Sequence, residues 1–212
     1  GAGCDDVYIR VCNAWCYGGG ILFCTTRRHI RCGTHCEAHT EPEMIDKITL
    51  PFFHLLDPEK AHDLTIKILR YGLLTRLHSK PARELTQMIC GIKFPNPVGL
   101  AAGFDKNAEI MDAMLGFDFG FVEIGTVTPL PQEGNEKPRV FRDKKSKHVI
   151  NRMGFPNLGA DYFEGSYQDF RQSGENFNGI VGINVGKNKD QEDDLADYVD
   201  LVHRFGKQAD YL

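Results

Sequence analysis

Apolar and polar residues follow different rhythms along the chain, and each rhythm predicts an element. Phe52, Phe53, Leu55 and Leu56 precede Asp57-Pro58-Glu59. Asp57 has the side chain of a helix N-cap, and Pro58 suits the first helical position. Behind them Ala61, Leu64, Ile66, Ile68, Leu69 and Leu73 give a mainly apolar helix that ends near Gly72. Residues 45–53 predict another short helix, interrupted at Pro51. Two short amphipathic helices of this kind cover a core edge or line a greasy groove.

After Ser79-Lys80-Pro81 the texture changes. Residues 86–97 predict two short strands around Gly91, and residues 98–102 a small apolar strand that ends in Gly103-Phe104-Asp105-Lys106. A helix is predicted over 108–115, and a second apolar strand over 121–127. A turn-rich loop from Pro129 to Pro138 follows. Residues 140–142 and 148–150 form the arms of a hairpin around a charged tip. A helix over 158–170, a third apolar strand over 180–185 and a helix over 193–205 come next. Ala209-Asp210-Tyr211-Leu212 opens a fourth strand.

Strands alternating with helices predict a parallel α/β fold. A doubly wound sheet and a (β/α) barrel both fit, and in either one ligands collect at the carboxyl ends of the strands. The residues there are Gly103 with Lys106, Gly125 with Thr126, and Asn184 with Gly186. Glycine lets a flat or phosphorylated ligand approach the backbone. Lysine neutralises an anion, and asparagine offers both a donor and an acceptor. The plain alternative is that these are ordinary turn residues. Neither a G-x-G-x-x-G nor a Walker A pattern occurs.

Composition narrows the class. The 212 residues are 42% hydrophobic and 25% charged, which excludes a disordered tail or a collagen-like chain. A net charge of −4 argues against a chain-wide grip on nucleic acid. No run approaches the length of a membrane-spanning helix. The chain begins with Gly1, as a fragment or processed product would. Six of seven cysteines lie between Cys4 and Cys36. His29, Cys32, Cys36 and His39 have the ligand types of a zinc site, but their spacing is not that of a standard finger. A disulfide framework and a poorly ordered leader are the other readings, and the leader is the one expected, with no metal. Arg27, Arg28 and Arg31 faintly suggest a transit peptide.

Four segments together carry a family resemblance. They are residues 94–106 (FPNPVGLAAGFDK), 120–129 (GFVEIGTVTP), 149–155 (VINRMGF) and 182–188 (GINVGKN). They closely resemble the class 2, membrane-associated dihydroorotate dehydrogenases. The helix beginning LLDPEKAH at Leu55 resembles that class's N-terminal extension. The resemblance covers roughly residues 50 to 212 and leaves the first 47 unmatched.

What the resemblance implies is specific. The fold would be the N-terminal part of a (β/α)8 TIM barrel preceded by a small helical domain, with a leader over 1–47, the helical domain over 48–78 and the first half of the barrel over 79–212. Such enzymes oxidise dihydroorotate to orotate in pyrimidine biosynthesis, through FMN and then a quinone such as ubiquinone. Ala101, Ala102, Gly103, Gly125 and Thr126 would lie against FMN. Lys106 would touch both flavin and the orotate carboxylate, a placement that suits its charge. Asn151 would bond the pyrimidine and border the cofactor, with Arg152, Met153, Gly154 and Phe155 shaping that pocket. Asn184 would contact flavin or substrate. Phe53, Leu56, His62 and Thr65 would line a quinone groove, faced by Phe104, Val140 and Arg142. His62 could instead be a satisfied helix-surface histidine, and Arg142 a hairpin salt bridge. The helical domain would rest on a membrane surface, the mitochondrial inner membrane by resemblance.

Departures from the family pattern set further expectations. The family's serine base follows the fourth strand, beyond Leu212, so this stretch alone would not turn over dihydroorotate. Its open strand edges would favour self-association. Asp118 stands where the family usually has glycine, and Phe53 where vertebrate members often have glutamine. Two other readings compete: a soluble flavin-barrel relative with another electron acceptor, against which the helical extension argues, and a non-catalytic binding protein acting through its cysteine-rich head.

Overall fold

The computed structural model describes residues 11–12, 51–72, 85–117, 119–143, 146, 148–173, 179–193 and 195–212. The zinc-type set His29, Cys32, Cys36 and His39, the helix expected over 45–50, and Asp118 lie outside the described residues.

In chain order the elements are β1 (Val11–Cys12), α1 (Pro58–Arg70), β2 (Gln87–Ile89), β3 (Ile92–Phe94) and β4 (Gly99–Leu100). Then come α2 (Met111–Gly116), β5 (Phe121–Val127), β6 (Val140–Asp143) and β7 (His148–Asn151). The last are α3 (Gly159–Gln172), β8 (Ile180–Val185) and α4 (Ala196–Phe205). Residues 51–55 are helical as well.

Local chemistry explains several boundaries. Asp57 caps α1 as its sequence predicts, its Oδ1 accepting from the N–H groups of Glu59 and Lys60 at 3.0 and 3.2 Å. The β2–β3 hairpin turns at Gly91, whose φ of +83° favours glycine. The strand expected over 98–102 is shorter, because the chain leaves the sheet after Leu100. The helix expected from Ala108 starts at Met111 instead. The Asp105 carboxylate accepts from the N–H groups of Glu109 and Ile110, both at 2.9 Å, and Ala108 takes φ +59°. That wrap holds the backbone out of helical geometry for one more turn. At the start of α4, Asp193 Oδ1 takes the N–H of Leu195 at 2.9 Å, so the helix begins later than residue 193.

Strand order decides between the two parallel architectures. β4, β5 and β8 are parallel neighbours in chain order, and Tyr211 extends the series by a parallel bridge to Gly182. A doubly wound sheet reverses its order beside the first strand, whereas a barrel adds each strand on the same side. These are therefore the first three strands of a (β/α) barrel and the opening of the fourth. Two residues of the cysteine-rich head, Val11–Cys12, pair in parallel with Gly99–Leu100 at the other edge.

The core lies between the sheet and its outer helices. Leu100, Val122, Ile124, Val181 and Ile183 from the strands meet Met114 of α2, Phe163 and Tyr167 of α3, and Leu201 and Phe205 of α4. Phe163 and Phe205 pack edge to face with ring centroids 5.5 Å apart. The apolar runs of the parallel strands are buried on this helix side, as covered sheets require.

Candidate active site

The carboxyl ends of β4 and β5 are laced together by backbone. Gly103 N–H donates to the Gly125 carbonyl at 2.7 Å, and Gly125 N–H to the Asp105 carbonyl at 2.8 Å. Gly103 has φ +100°, and a Cβ built there would meet nothing within 4 Å. Among the described residues, the side of Gly103 on which a side chain would stand is therefore clear, and a flat group could approach its backbone there. Asp105 is buried. Burial pushes its carboxyl up, against the two backbone N–H groups that favour its charged form.

Lys106 follows directly. Burial lowers its ammonium to about 8, opposed by the charges of Asp63, Asp105 and Glu59. Its Nζ lies 3.5 Å from His62 Nε2. His62 is buried rather than on the helix surface. Its Nε2 is 2.7 Å from the Phe104 carbonyl oxygen, so Nε2 carries the proton and donates. Its ring also meets the Phe104 ring edge to face at 5.3 Å. Thr65, one turn on, is buried and donates to the Ala61 carbonyl within its own helix at 2.8 Å.

Polar side chains connect the other strand ends. Thr126 Oγ1 donates to Asn184 Oδ1 at 2.6 Å, and Asn184 Nδ2 donates to Glu123 Oε1 at 3.1 Å. The Tyr211 hydroxyl donates to the other Glu123 oxygen at 3.4 Å. Burial and then the Glu123 charge hold that phenol above its usual range.

Residues 151–155 are bonded to the 129–139 loop. Asn135 Nδ2 donates to the Arg152 carbonyl at 2.8 Å and Asn135 N–H to the Met153 carbonyl at 2.9 Å. Gln132 Nε2 reaches the carbonyls of Gly154 and Phe155, each at 3.2 Å. Asn151 is exposed, and its Oδ1 accepts from Met153 N–H at 3.4 Å. No hydrogen bond among the described residues joins this segment to Lys106, Thr126 or Asn184. Its link to the strand ends runs through Asn157, which donates to Thr128 Oγ1 at 2.9 Å. Asn188 donates to the same oxygen at 3.2 Å.

The helical extension is docked by charge. Glu59 of α1 accepts from Arg139 Nε at 2.6 Å and pairs with Lys137 at 3.1 Å. The Arg139 guanidinium also donates to the carbonyls of Glu133 and Asn135. Arg142 donates from Nη1 to the carbonyls of Phe53 and Leu56 at 3.3 and 3.2 Å, so it clamps backbone rather than a carboxylate. Its Nη2 is buried with no hydrogen-bond partner among the described residues. Burial lowers the affinity of this guanidinium for its proton. Val140 is buried on the same strand.

Besides residues 151–155 on their loop, the structure groups expected residues into three sets. Gly103, Lys106, Gly125, Thr126 and Asn184 share the strand ends. His62 and Phe104 stack beside Lys106. Phe53, Leu56 and Arg142 form a separate clamp. Glu123, Tyr211, Arg139 and Glu59 were not among the residues expected from the sequence. Only Glu123 carried a local signal, as the one charged residue in the run FVEIGTV.

A family model described as Dihydroorotate dehydrogenase matches residues 84–212. A protein named "Dihydroorotate dehydrogenase (quinone)" from Erythrobacter litoralis (strain HTCC2594) is 48% identical over 169 residues, covering 80% of this chain and 48% of that protein. One of the same name from Rhodopseudomonas palustris (strain HaA2) is 51% identical over 168 residues, covering 79% and 44%. The ligand-free DHODH of Eimeria tenella superposes with a TM-score of 0.70 at 42% identity, over 74% of this chain and 44% of that one. The chain spans about half the length of the curated relatives it matches.

Proposed function

Because the chain belongs to the dihydroorotate dehydrogenase family, we propose that the protein serves the oxidation of dihydroorotate to orotate in pyrimidine synthesis, with FMN as cofactor and a quinone as final acceptor. The observation that carries this reading is the meeting of three features at consecutive strand ends: open glycine backbone at Gly103, the Thr126–Asn184 hydrogen bond, and the Lys106 ammonium. Flat heteroaromatic rings and carboxylates fit that set by chemistry.

FMN suits the residues present. Gly103 offers backbone without bulk, with Ala101, Ala102 and Gly125 beside it as small residues, and Thr126 and Asn184 offer hydrogen bonds to a ring edge. When bound, FMN supplies a two-electron acceptor for the hydride removed from dihydroorotate. Lys106 binds the substrate carboxylate and balances negative charge that develops beside it. Asn151 to Phe155, held by Asn135 and Gln132, supply the wall on the substrate side.

For the quinone, the fitting feature is the buried Nη2 of Arg142, which has no hydrogen-bond partner among the described residues, since an orphaned buried donor calls for an acceptor such as a quinone oxygen. Phe53, Leu56 and Val140 supply apolar surroundings, and His62 and Thr65 of α1 are the polar residues read into the same groove. Quinones are lipid-borne, so this reading places the protein at a membrane surface through its helical domain, in a eukaryote that of the inner mitochondrial membrane. Among the described residues no helix is long and apolar enough to cross a membrane.

The test is a dihydroorotate-dependent dye-reduction assay with a short-chain ubiquinone, on the protein at its natural length. Turnover that Lys106→Met lowers by about 100-fold or more is expected, as for loss of a charged group acting on the reacting centre. Absence of turnover in the wild type would overturn the assignment.

A further inference from the structure

Glu123 is a charged residue on a barrel strand, and its two oxygens are both used. One accepts from Asn184 Nδ2 and the other from the Tyr211 hydroxyl. A carboxylate accepts and does not donate, so it selects one orientation of the Asn184 amide, with nitrogen toward Glu123 and oxygen toward Thr126. The Thr126 hydroxyl completes the choice. Its proton goes to Asn184 Oδ1 at 2.6 Å, which leaves the hydroxyl with lone pairs only. Asn184 Nδ2 retains a second N–H after serving Glu123.

We infer that Glu123 is a positioning residue: it fixes the Asn184 amide so that the site presents one N–H donor beside one hydroxyl lone pair, the pattern that reads an imide edge. An imide edge carries a carbonyl acceptor next to an N–H donor, so it meets both groups at once. The pair lies partly exposed at the strand ends, joined through Gly125 to the open backbone at Gly103. The ring of a flavin and the ring of a pyrimidine both carry such an edge. A flipped amide would set the Asn184 oxygen against the ligand carbonyl and lose the match. This inference rests on the proposed function and adds to it the rule by which the site recognises its ring.

The experiment uses the protein at its natural length and two pairs of probes: FMN with 3-methyl-FMN, and orotate with 3-methylorotate. Methylation replaces the imide N–H by N–CH3, so it removes the donor and adds bulk at the same edge, and the change of ratio between wild type and variant is what reads Glu123. The wild type is expected to prefer the unmethylated member of one pair by about tenfold, the worth of one hydrogen bond. Glu123→Met removes the acceptor at similar volume and is expected to shrink that ratio severalfold, by the part due to the hydrogen bond. Glu123→Gln, which donates as well as accepts and so no longer forces one Asn184 orientation, is expected to give a ratio between those of the wild type and the Met variant. A purely structural role for Glu123 would weaken both members of a pair alike and leave the ratio unchanged. The pair that responds tells whether flavin or pyrimidine is read. A wild-type ratio that persists in the Met variant would overturn the inference and leave the proposed function standing. Failure of the wild type to bind either ring would overturn both. Should the Met variant not fold, the wild type is read directly. One of the two Asn184 side-chain protons is expected to exchange about tenfold more slowly than the other, and equal rates would count against Glu123.

Discussion

His62 Nε2 of α1 donates to the Phe104 carbonyl at 2.7 Å and lies 3.5 Å from the Lys106 ammonium nitrogen. The helical extension therefore touches the barrel at Lys106, the lysine proposed to hold the substrate carboxylate. Helix and strand end form one electrostatic unit, in which Asp63 of the helix faces His62 at 3.4 Å and favours the charged lysine. A lysine buried this way loses some of its proton affinity to desolvation.

The pH dependence follows from that burial. Lys106 is charged below about 8 and loses its proton above it. Orotate affinity is expected to be flat on the acid side and to fall as pH rises through about 8, the attraction being lost with the proton. Lys106→Arg, which stays charged, is expected to flatten the profile across that range. Titration calorimetry from pH 6 to 9.5 measures this, and a wild-type profile with no break would speak against Lys106 as the anion-binding group.

Arg142 has a different signature. Its Nη1 holds the carbonyls of Phe53 and Leu56, and its Nη2 is buried without a hydrogen-bond partner among the described residues. Arg142→Leu is expected to lower kcat/KM for quinone by about 10- to 100-fold, the cost of a hydrogen bond from a charged group. The half-reaction with dihydroorotate is expected to change by less than about threefold. Stopped-flow measurement of the two half-reactions separates them, and equal losses in both would remove Arg142 from the quinone site.

The Glu59–Arg139 pair is expected to fasten α1 to the barrel. Its side chains are 12% and 9% exposed, and removing Arg139 leaves Glu59 only its ion pair with Lys137, whose side chain is 68% exposed. Arg139→Ala is expected to cost about 3 kcal/mol, by the general behaviour of broken buried pairs. Urea unfolding gives the size, and hydrogen exchange is expected to show the loss of protection concentrated in α1. Uniform deprotection would mean that the pair supports the barrel instead.

Deleting the Phe163 ring is a control on the packing. Phe163 is fully buried against Phe205. Phe163→Ala is expected to destabilise by about 3–5 kcal/mol while leaving strand-end ligand affinity unchanged in the folded fraction.

Much of this was legible along the chain. The parallel strands are apolar runs, Asp57-Pro58 announces α1, and Lys106 stands out because a lysine after a glycine-ended strand is chemically conspicuous. The strand order was open between barrel and doubly wound sheet, since local pattern carries no information on which strands become neighbours. The late start of α2 depends on Asp105 reaching forward to two N–H groups, a loop geometry that helical periodicity does not encode. Glu123 and Arg139 escaped for the same reason. Their partners Asn184 and Glu59 lie 61 and 80 residues away in the chain, and only the fold brings them within reach.

The most direct measurement is the visible spectrum of the purified protein at its natural length, recorded without oxygen before and after dihydroorotate is added. Bound flavin that bleaches with dihydroorotate and regains its colour with a short-chain ubiquinone is the expected result. A protein that holds no flavin, or holds flavin that dihydroorotate leaves coloured, would contradict the assignment of the strand-end residues to this reaction.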